Sequence, residues 1–191
     1  MQELFETIKI EDGKIFNLEW HNRRLNRSRL ELFSLYKPID LANYIDAPPA
    51  QGVYRCRVVY DTEIKSVEYL PYTPKLFKHF KIVQSNLAYS YKYSDRSQLN
   101  KLLSKEYDEI IIEKDNLLTD TSIANIAFYD GQEWLTPSTP LLKGTTRERL
   151  LDEGFLKIKD IKKEHIKNYS HFALMNAMIG FQIQKSITIQ I

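Results

Sequence analysis

The sequence predicts an α+β protein in two parts, the second built on a mixed sheet. Three observations carry this reading. Strand-like and helix-like stretches follow one another with no internal repeat and no low-complexity tract. Closely spaced prolines in Pro71-Tyr72-Thr73-Pro74 interrupt both kinds of element and read as a linker. Ile110-Ile111-Ile112 is a run of the kind that marks a strand buried on both faces. The boundary placed at the prolines gives a small domain over 1–72 and a larger one over 73–191.

In the first part, Leu4 to Ile10 reads as a strand, Asp12-Gly13 as a turn and Lys14-Ile15-Phe16 as the returning strand. Asn17 is expected to cap a helix running to about Leu35, with Leu18, Leu25, Leu32 and Phe33 near helical spacing. Arg24 lies close to that stripe, either snorkelling or aimed into a site. Asp40 to Asp46 is expected to be a short helix. Val53 to Tyr60 and Ile64 to Leu70 form a hairpin, with Arg55 and Arg57 on one strand face. Two arginines so placed either face solvent or bind a carboxylate.

In the second part, Phe80 to Leu87 is a strand, followed by Tyr91-Lys92-Tyr93-Ser94-Asp95-Arg96 and a helix over Ser97 to Glu106. Glu109 to Glu113 and Ile123 to Tyr129 are strands, and Asp130-Gly131 turns into Trp134-Leu135-Thr136. Gly144-Thr145-Thr146 begins a helix to about Glu153. Phe155 to Ile158 is a strand and Lys162 to Lys167 a helix. Phe172 to Met175 and Phe181 to Ile191 are strands separated by Asn176-Ala177-Met178-Ile179-Gly180.

The 191 residues suffice for real cores, and a net charge of +2 with mixed signs asks for neither nucleic acid nor an acidic membrane. One cysteine, Cys56, allows no internal disulfide and points to a reducing, cytoplasmic setting. The first residues do not read as a signal peptide, and no apolar run has the ~18 residues of a membrane span. His21, His79, His165 and His171 are scattered, so no metal site is expected.

Three features point to chemistry. Gly144-Thr145-Thr146 at a helix start offers unpartnered N–H groups and two hydroxyls to an anion; its ordinary alternative is a plain threonine cap. The spacing is too short for a nucleotide-triphosphate loop. Lys92 stands among aromatic and polar residues before a helix, and Arg96 one turn on is a candidate neighbouring cation. Asp120 offers a carboxylate, or a turn residue among Thr119, Thr121 and Ser122. An amine, an acid and a phosphate cradle are what a protein supplies to pyridoxal 5'-phosphate (PLP).

Four blocks then stand in the order of a known family: Phe5-Glu6-Thr7-Ile8 with Asp12-Gly13 and His21-Asn22-Arg23-Arg24-Leu25; Lys92-Tyr93-Ser94-Asp95-Arg96; Asp120-Thr121-Ser122-Ile123-Ala124-Asn125-Ile126 ahead of Thr136-Pro137; and Gly144-Thr145-Thr146-Arg147 followed by Asn176-Ala177-Met178. Together they cover nearly the whole chain, which resembles the class IV aminotransferases of PLP fold type IV. The resemblance implies a small α+β domain and a larger pseudo-barrel domain with PLP between them, in a homodimer. It makes Lys92 the Schiff-base lysine and proton shuttle, carried by the larger domain. Arg24, Thr145 and Thr146 would bind the cofactor phosphate, which favours the second reading of Arg24. Asn176 and Ala177 would lie in the turn near phosphate and substrate carboxylate, and Arg57 would shape the substrate pocket, with Arg96 also on the substrate side. Asp120 would hold the ring nitrogen where the family has glutamate, a side chain longer by about 1.5 Å. The chain starts almost at Phe5-Glu6-Thr7, so the fold implied is N-terminally shortened.

Within the family, Lys-x-x-Asp-Arg and Asn176-Ala177-Met178 resemble the aminodeoxychorismate lyase subgroup. That resemblance implies conversion of 4-amino-4-deoxychorismate to 4-aminobenzoate and pyruvate, a step toward folate. The alternatives are a transaminase for a branched-chain or D-amino acid, a weakly active PLP-binding homologue, or, least in keeping with the four blocks, an α+β binding domain without PLP.

Overall fold

The structure is a computed structural model describing residues 2–191. It divides into two compact units. The first comprises residues up to Pro74 together with Tyr91–Asp95; the second comprises Lys75–Ser90 and Arg96–Ile191.

In the first unit, β1 (Leu4–Glu11), β2 (Lys14–Ile15), β3 (Val53–Tyr60) and β4 (Ile64–Pro71) form an antiparallel sheet in the order β2-β1-β3-β4. Asp12 and Gly13 both take positive φ, 49° and 77°, the geometry a two-residue hairpin turn needs. Alternation on β1 sends Leu4, Glu6, Ile8 and Ile10 inward. Helix α1 (Leu18–Phe33) lays Leu25 onto Leu4, Ile8, Ile10, Cys56 and Val58 to close the core. Asn17 does not cap it as expected: it adopts a left-handed φ of 53° and its side chain makes no cap bond. The helix ends at Ser34, also left-handed, so Leu35 lies outside it. The short helix expected over 40–46 shrinks to one 3-10 turn, Leu41–Asn43, with the Asp40 side chain accepting from the Ala42 N–H.

The chain returns to this unit at Tyr91–Asp95. The Phe5 N–H donates to the Lys92 carbonyl at 2.9 Å, and the Ser94 N–H donates to the Glu3 carbonyl at 2.9 Å. These bonds lay the lysine segment along β1, with Leu4 opposite Tyr93. Lys92 is therefore carried by the smaller unit, not the larger. A linker read from prolines does not reveal that a later segment folds back.

In the second unit, the sheet runs β10 (Leu156–Lys159), β9 (Trp134–Pro137), β8 (Asn125–Tyr129), β7 (Leu117–Thr121), β6 (Glu109–Lys114), β5 (His79–Gln84) and β13 (Thr188–Gln190). β11 (His171–Asn176) pairs antiparallel with β8 along its length and carries β12 (Gly180–Gln184). A strand has two edges, so the other edge of β8 is shared: β7 meets it at Asn125, and β9 at Phe128 and Tyr129. Ile110, Ile111 and Ile112 are buried, as the run predicts. Phe80, Ile111, Leu118, Ile126, Phe128, Phe172 and Leu174 form the core.

Several expected elements are shorter. The helix expected to reach Glu106 is one turn, α2 (Ser97–Asn100), because only Leu99 finds the core while Leu103 stays exposed. The strand expected from Ile123 starts at Asn125, since the Ala124 N–H turns back to Thr121 Oγ1. The strand expected over 181–191 breaks at Ser186, whose φ is 54°. The helix expected near 162–167 is a 3-10 segment, Lys163–Asn168. Helix α3 (Thr145–Asp152) starts where expected, after Gly144.

Candidate active site

In the first unit, β1, α1 and the returning segment bring Glu6, His21, Arg24 and Lys92 into one neighbourhood. Glu6 is inward on β1, fully buried among apolar side chains. A buried carboxylate needs partners, and α1 supplies two, one turn apart. Arg24 Nε donates to Glu6 Oε1 at 2.8 Å and Arg24 Nη2 donates to Oε2 at 2.5 Å, a forked pair. His21 Nδ1 lies 2.6 Å from the same Oε2. Burial alone would push the Glu6 carboxyl up; the Arg24 charge and the hydrogen bonds from His21 and Arg24 outweigh it and hold it at about 2. Burial, aided by the positive charges of Arg24 and Lys92, holds His21 below its ordinary range despite Glu6. The imidazole is then neutral, with its proton on Nδ1 facing the carboxylate, and Nε2 is buried without a hydrogen-bond partner.

Arg24 is thus not a snorkelling surface residue: it is 7% exposed and braced by Glu6. Lys92 is half-buried, its Nζ 4.6 Å from the Phe5 ring centroid. Arg57, on β3 beside β1, is half-buried over the same ring at 4.9 Å. These contacts bring Lys92 and Arg57 to one aromatic side chain.

In the second unit, Asp120 lies within β7 and is buried, not in a turn. Its Oδ1 accepts from Asn125 Nδ2 at 2.6 Å and its Oδ2 from the Leu142 N–H at 2.9 Å. Burial pushes its carboxyl up to about 7, against the lowering effect of those bonds. Thr145 and Thr146 are both buried in the first turn of α3, and no side chain caps that helix at Gly144. Arg147 points away into the protein: its Nη2 donates to the Pro137 carbonyl at 2.8 Å and its Nη1 to Glu148 at 3.0 Å.

Asn176 ends β11 and holds its own turn, its Oδ1 accepting from the Met178 and Ile179 N–H groups at 2.9 and 3.0 Å, while its Nδ2 donates to the Ile123 carbonyl at 3.3 Å. Ala177 is half-buried in that turn. Arg96 precedes α2, so it is not one helical turn from Lys92. Its Nη2 donates to the Ser122 carbonyl at 2.6 Å, which pins the β7–β8 turn. Beneath that turn the Ser122 hydroxyl donates to the buried Glu109 at 2.9 Å.

The donors of the second unit suit a phosphorylated pyridine. An uncapped helix start with two buried hydroxyls suits a phosphate. A buried carboxylate held mainly by neutral N–H groups suits a protonated ring nitrogen, which would draw the raised Asp120 back toward its charged form. In the first unit, taken by itself, the half-buried Lys92 suits an aldehyde. Two participants escape the sequence reading. Glu6 had a legible signal, a carboxylate in phase with Leu4, Ile8 and Ile10. Asn125 had none, because its partners come from Asp120 and from a loop 17 residues on. Among the described residues, no cluster of histidine, cysteine or carboxylate side chains suits a metal, and no helix is long and apolar enough to cross a membrane.

The amino-transferase class IV family profile matches residues 96–187. An uncharacterized protein of Haemophilus influenzae is 41% identical over 187 residues, covering 94% of this chain and 100% of that one. A Schizosaccharomyces pombe protein provisionally named aminodeoxychorismate lyase is 26% identical over 197 residues, covering 91% of this chain and 85% of that one. The crystal structure of a protein from Haemophilus somnus 129PT, provisionally named 4-amino-4-deoxychorismate lyase, superposes with a TM-score of 0.86. That protein is 37% identical, with 94% of this chain and 98% of the other covered.

Proposed function

This chain belongs to the amino-transferase class IV family, an enzyme family of PLP fold type IV, and on that premise we propose that it is a PLP-dependent lyase. Its substrate is 4-amino-4-deoxychorismate and its products are 4-aminobenzoate and pyruvate. The likeness to the Haemophilus somnus protein over nearly the full length of both chains carries this choice. The forked, buried Arg24 and the uncapped start of α3 support the cofactor.

Bound PLP supplies an electron sink for the charge left when a proton departs next to the substrate amine. Lys92 Nζ would hold the aldehyde end of PLP and would serve as the base for that proton. Arg24, Thr145 and Thr146 bind the phosphate, with Arg24 kept in orientation by Glu6. Asp120 keeps the ring nitrogen protonated. Arg57, Arg96 and Ala177 face the substrate, and Asn176 sets the turn that presents Ala177. Substrate and products balance with no keto-acid acceptor, which separates this lyase from a transaminase. The enzyme is a cytoplasmic homodimer in this reading.

The test is an assay of purified protein with PLP and 4-amino-4-deoxychorismate alone. Release of 4-aminobenzoate and pyruvate in equal amounts supports the lyase. Turnover that appears only when a keto acid is added, with transfer of the amino group to it, replaces the lyase by a transaminase.

A further inference from the structure

Asp120 and the start of α3 meet through one side chain. Asn125 opens β8 opposite Asp120. Its Nδ2 donates both to Asp120 Oδ1 at 2.6 Å and to the Leu142 carbonyl at 2.8 Å. The second carboxylate oxygen takes the Leu142 N–H at 2.9 Å, so the loop before α3 is held by both residues. Asn125 Oδ1 presses on Gly144: a Cβ built there would lie 2.1 Å from it. Gly144 has a φ of −71°, which any residue adopts, so space and not backbone excludes a side chain. Asn125 is buried and tied by both N–H groups of its amide, so it cannot swing aside without losing them.

We propose that Asn125 is a positioning residue for the cofactor. It fixes the Asp120 carboxylate and the N-terminus of α3 in one relation, so the ring nitrogen and the phosphate of the ligand are received together. The inference rests on the PLP reading above. Its basis is preorganisation: both receiving groups are locked before the ligand arrives, and one amide does the locking. An aspartate at 120 belongs to this arrangement, because both of its oxygens are taken up by the Asn125 amide and the Leu142 N–H.

The test uses the full chain, with PLP and inorganic phosphate as probes. Wild type must first show a visible PLP band that depends on Lys92; without it the cofactor reading falls, and this proposal with it. Given the band, Asn125→Ala is expected to weaken PLP binding about tenfold, the equivalent of ~1.4 kcal/mol. Phosphate should compete less well by a similar factor. The pH at which the band changes should move upward, because the Asn125 hydrogen bond favours ionised Asp120. A purely structural role would not move that profile. Gly144→Ala should weaken both ligands by displacing Asn125, whereas adding it to Asn125→Ala should cost little, since the methyl then has room. Asn125→Ser serves in place of Asn125→Ala if the latter does not fold. Losses that multiply in the double variant, or ligand affinities and a pH profile unchanged in Asn125→Ala, overturn the positioning role and leave the PLP reading standing.

Discussion

The Nζ of Lys92 lies 4.6 Å from the centre of the Phe5 ring, and the Lys92 carbonyl accepts the Phe5 N–H at 2.9 Å. One strand residue thus holds the lysine at both ends, by backbone and by ring face. Phe5→Leu keeps most of the buried volume and removes the ring face. It is expected to leave the protein folded while slowing Lys92-dependent capture of PLP severalfold. Stopped-flow absorbance checks this; an unchanged rate reduces Phe5 to a packing residue.

Glu6→Gln should be strongly destabilising. The substitution leaves Arg24 buried without its counter-charge, a change that typically costs about 3–5 kcal/mol. In wild type the Glu6 carboxyl is held at about 2, well below its unfolded value, so its contribution is fully present above that unfolded value. The contribution, on the order of 3 kcal/mol, disappears as pH falls through the folded value. Urea unfolding between pH 2 and 7 should show this slope in wild type and not in Glu6→Gln.

Asp120 has the opposite sign. Its carboxyl is pushed up to about 7, so between pH 4 and 7 the folded chain binds more protons than the unfolded one. In the absence of ligand this group therefore makes the protein less stable as pH rises through that window, by on the order of 4 kcal/mol. Asp120→Asn should flatten the profile. PLP, by pairing the carboxylate, should restore stability at neutral pH more in wild type than in Asp120→Asn. Thermal melts with and without PLP at pH 5 and 8 measure both effects.

Arg96 separates two roles. Its bond to the Ser122 carbonyl makes Arg96→Ala a loss of turn stability, about 1.5–3 kcal/mol for a charge-assisted hydrogen bond. If Arg96 also faces the substrate carboxylate, KM should rise at least tenfold beyond any change in kcat. A lower melting temperature with an unaltered KM confines Arg96 to the turn.

The paired strands were legible because alternation and turn residues are local signals. Asp12-Gly13 and the three isoleucines announced a hairpin and a doubly covered strand. The helices were less legible. Leu102 and Leu103 continue an apolar rhythm after α2, but Leu103 stays exposed, and a rhythm without a covering surface does not hold a helix. Ser34 and Ser186 stop their elements through positive φ at residues that rarely announce it. At the site, the helix start at Gly144 and Asp120 were readable as residue types. What fixes them was not: Asn125 and Gly144 meet only through the fold. Nor did their chemistry suggest that Arg96 and Asn176 also bond to turns.

The most direct measurement is the visible absorption spectrum of purified protein with added PLP, wild type beside Lys92→Ala. A yellow band is expected in wild type, abolished by borohydride and absent from Lys92→Ala. A wild-type protein with no lysine-dependent band would contradict it and leave a fold that keeps its shape without the chemistry.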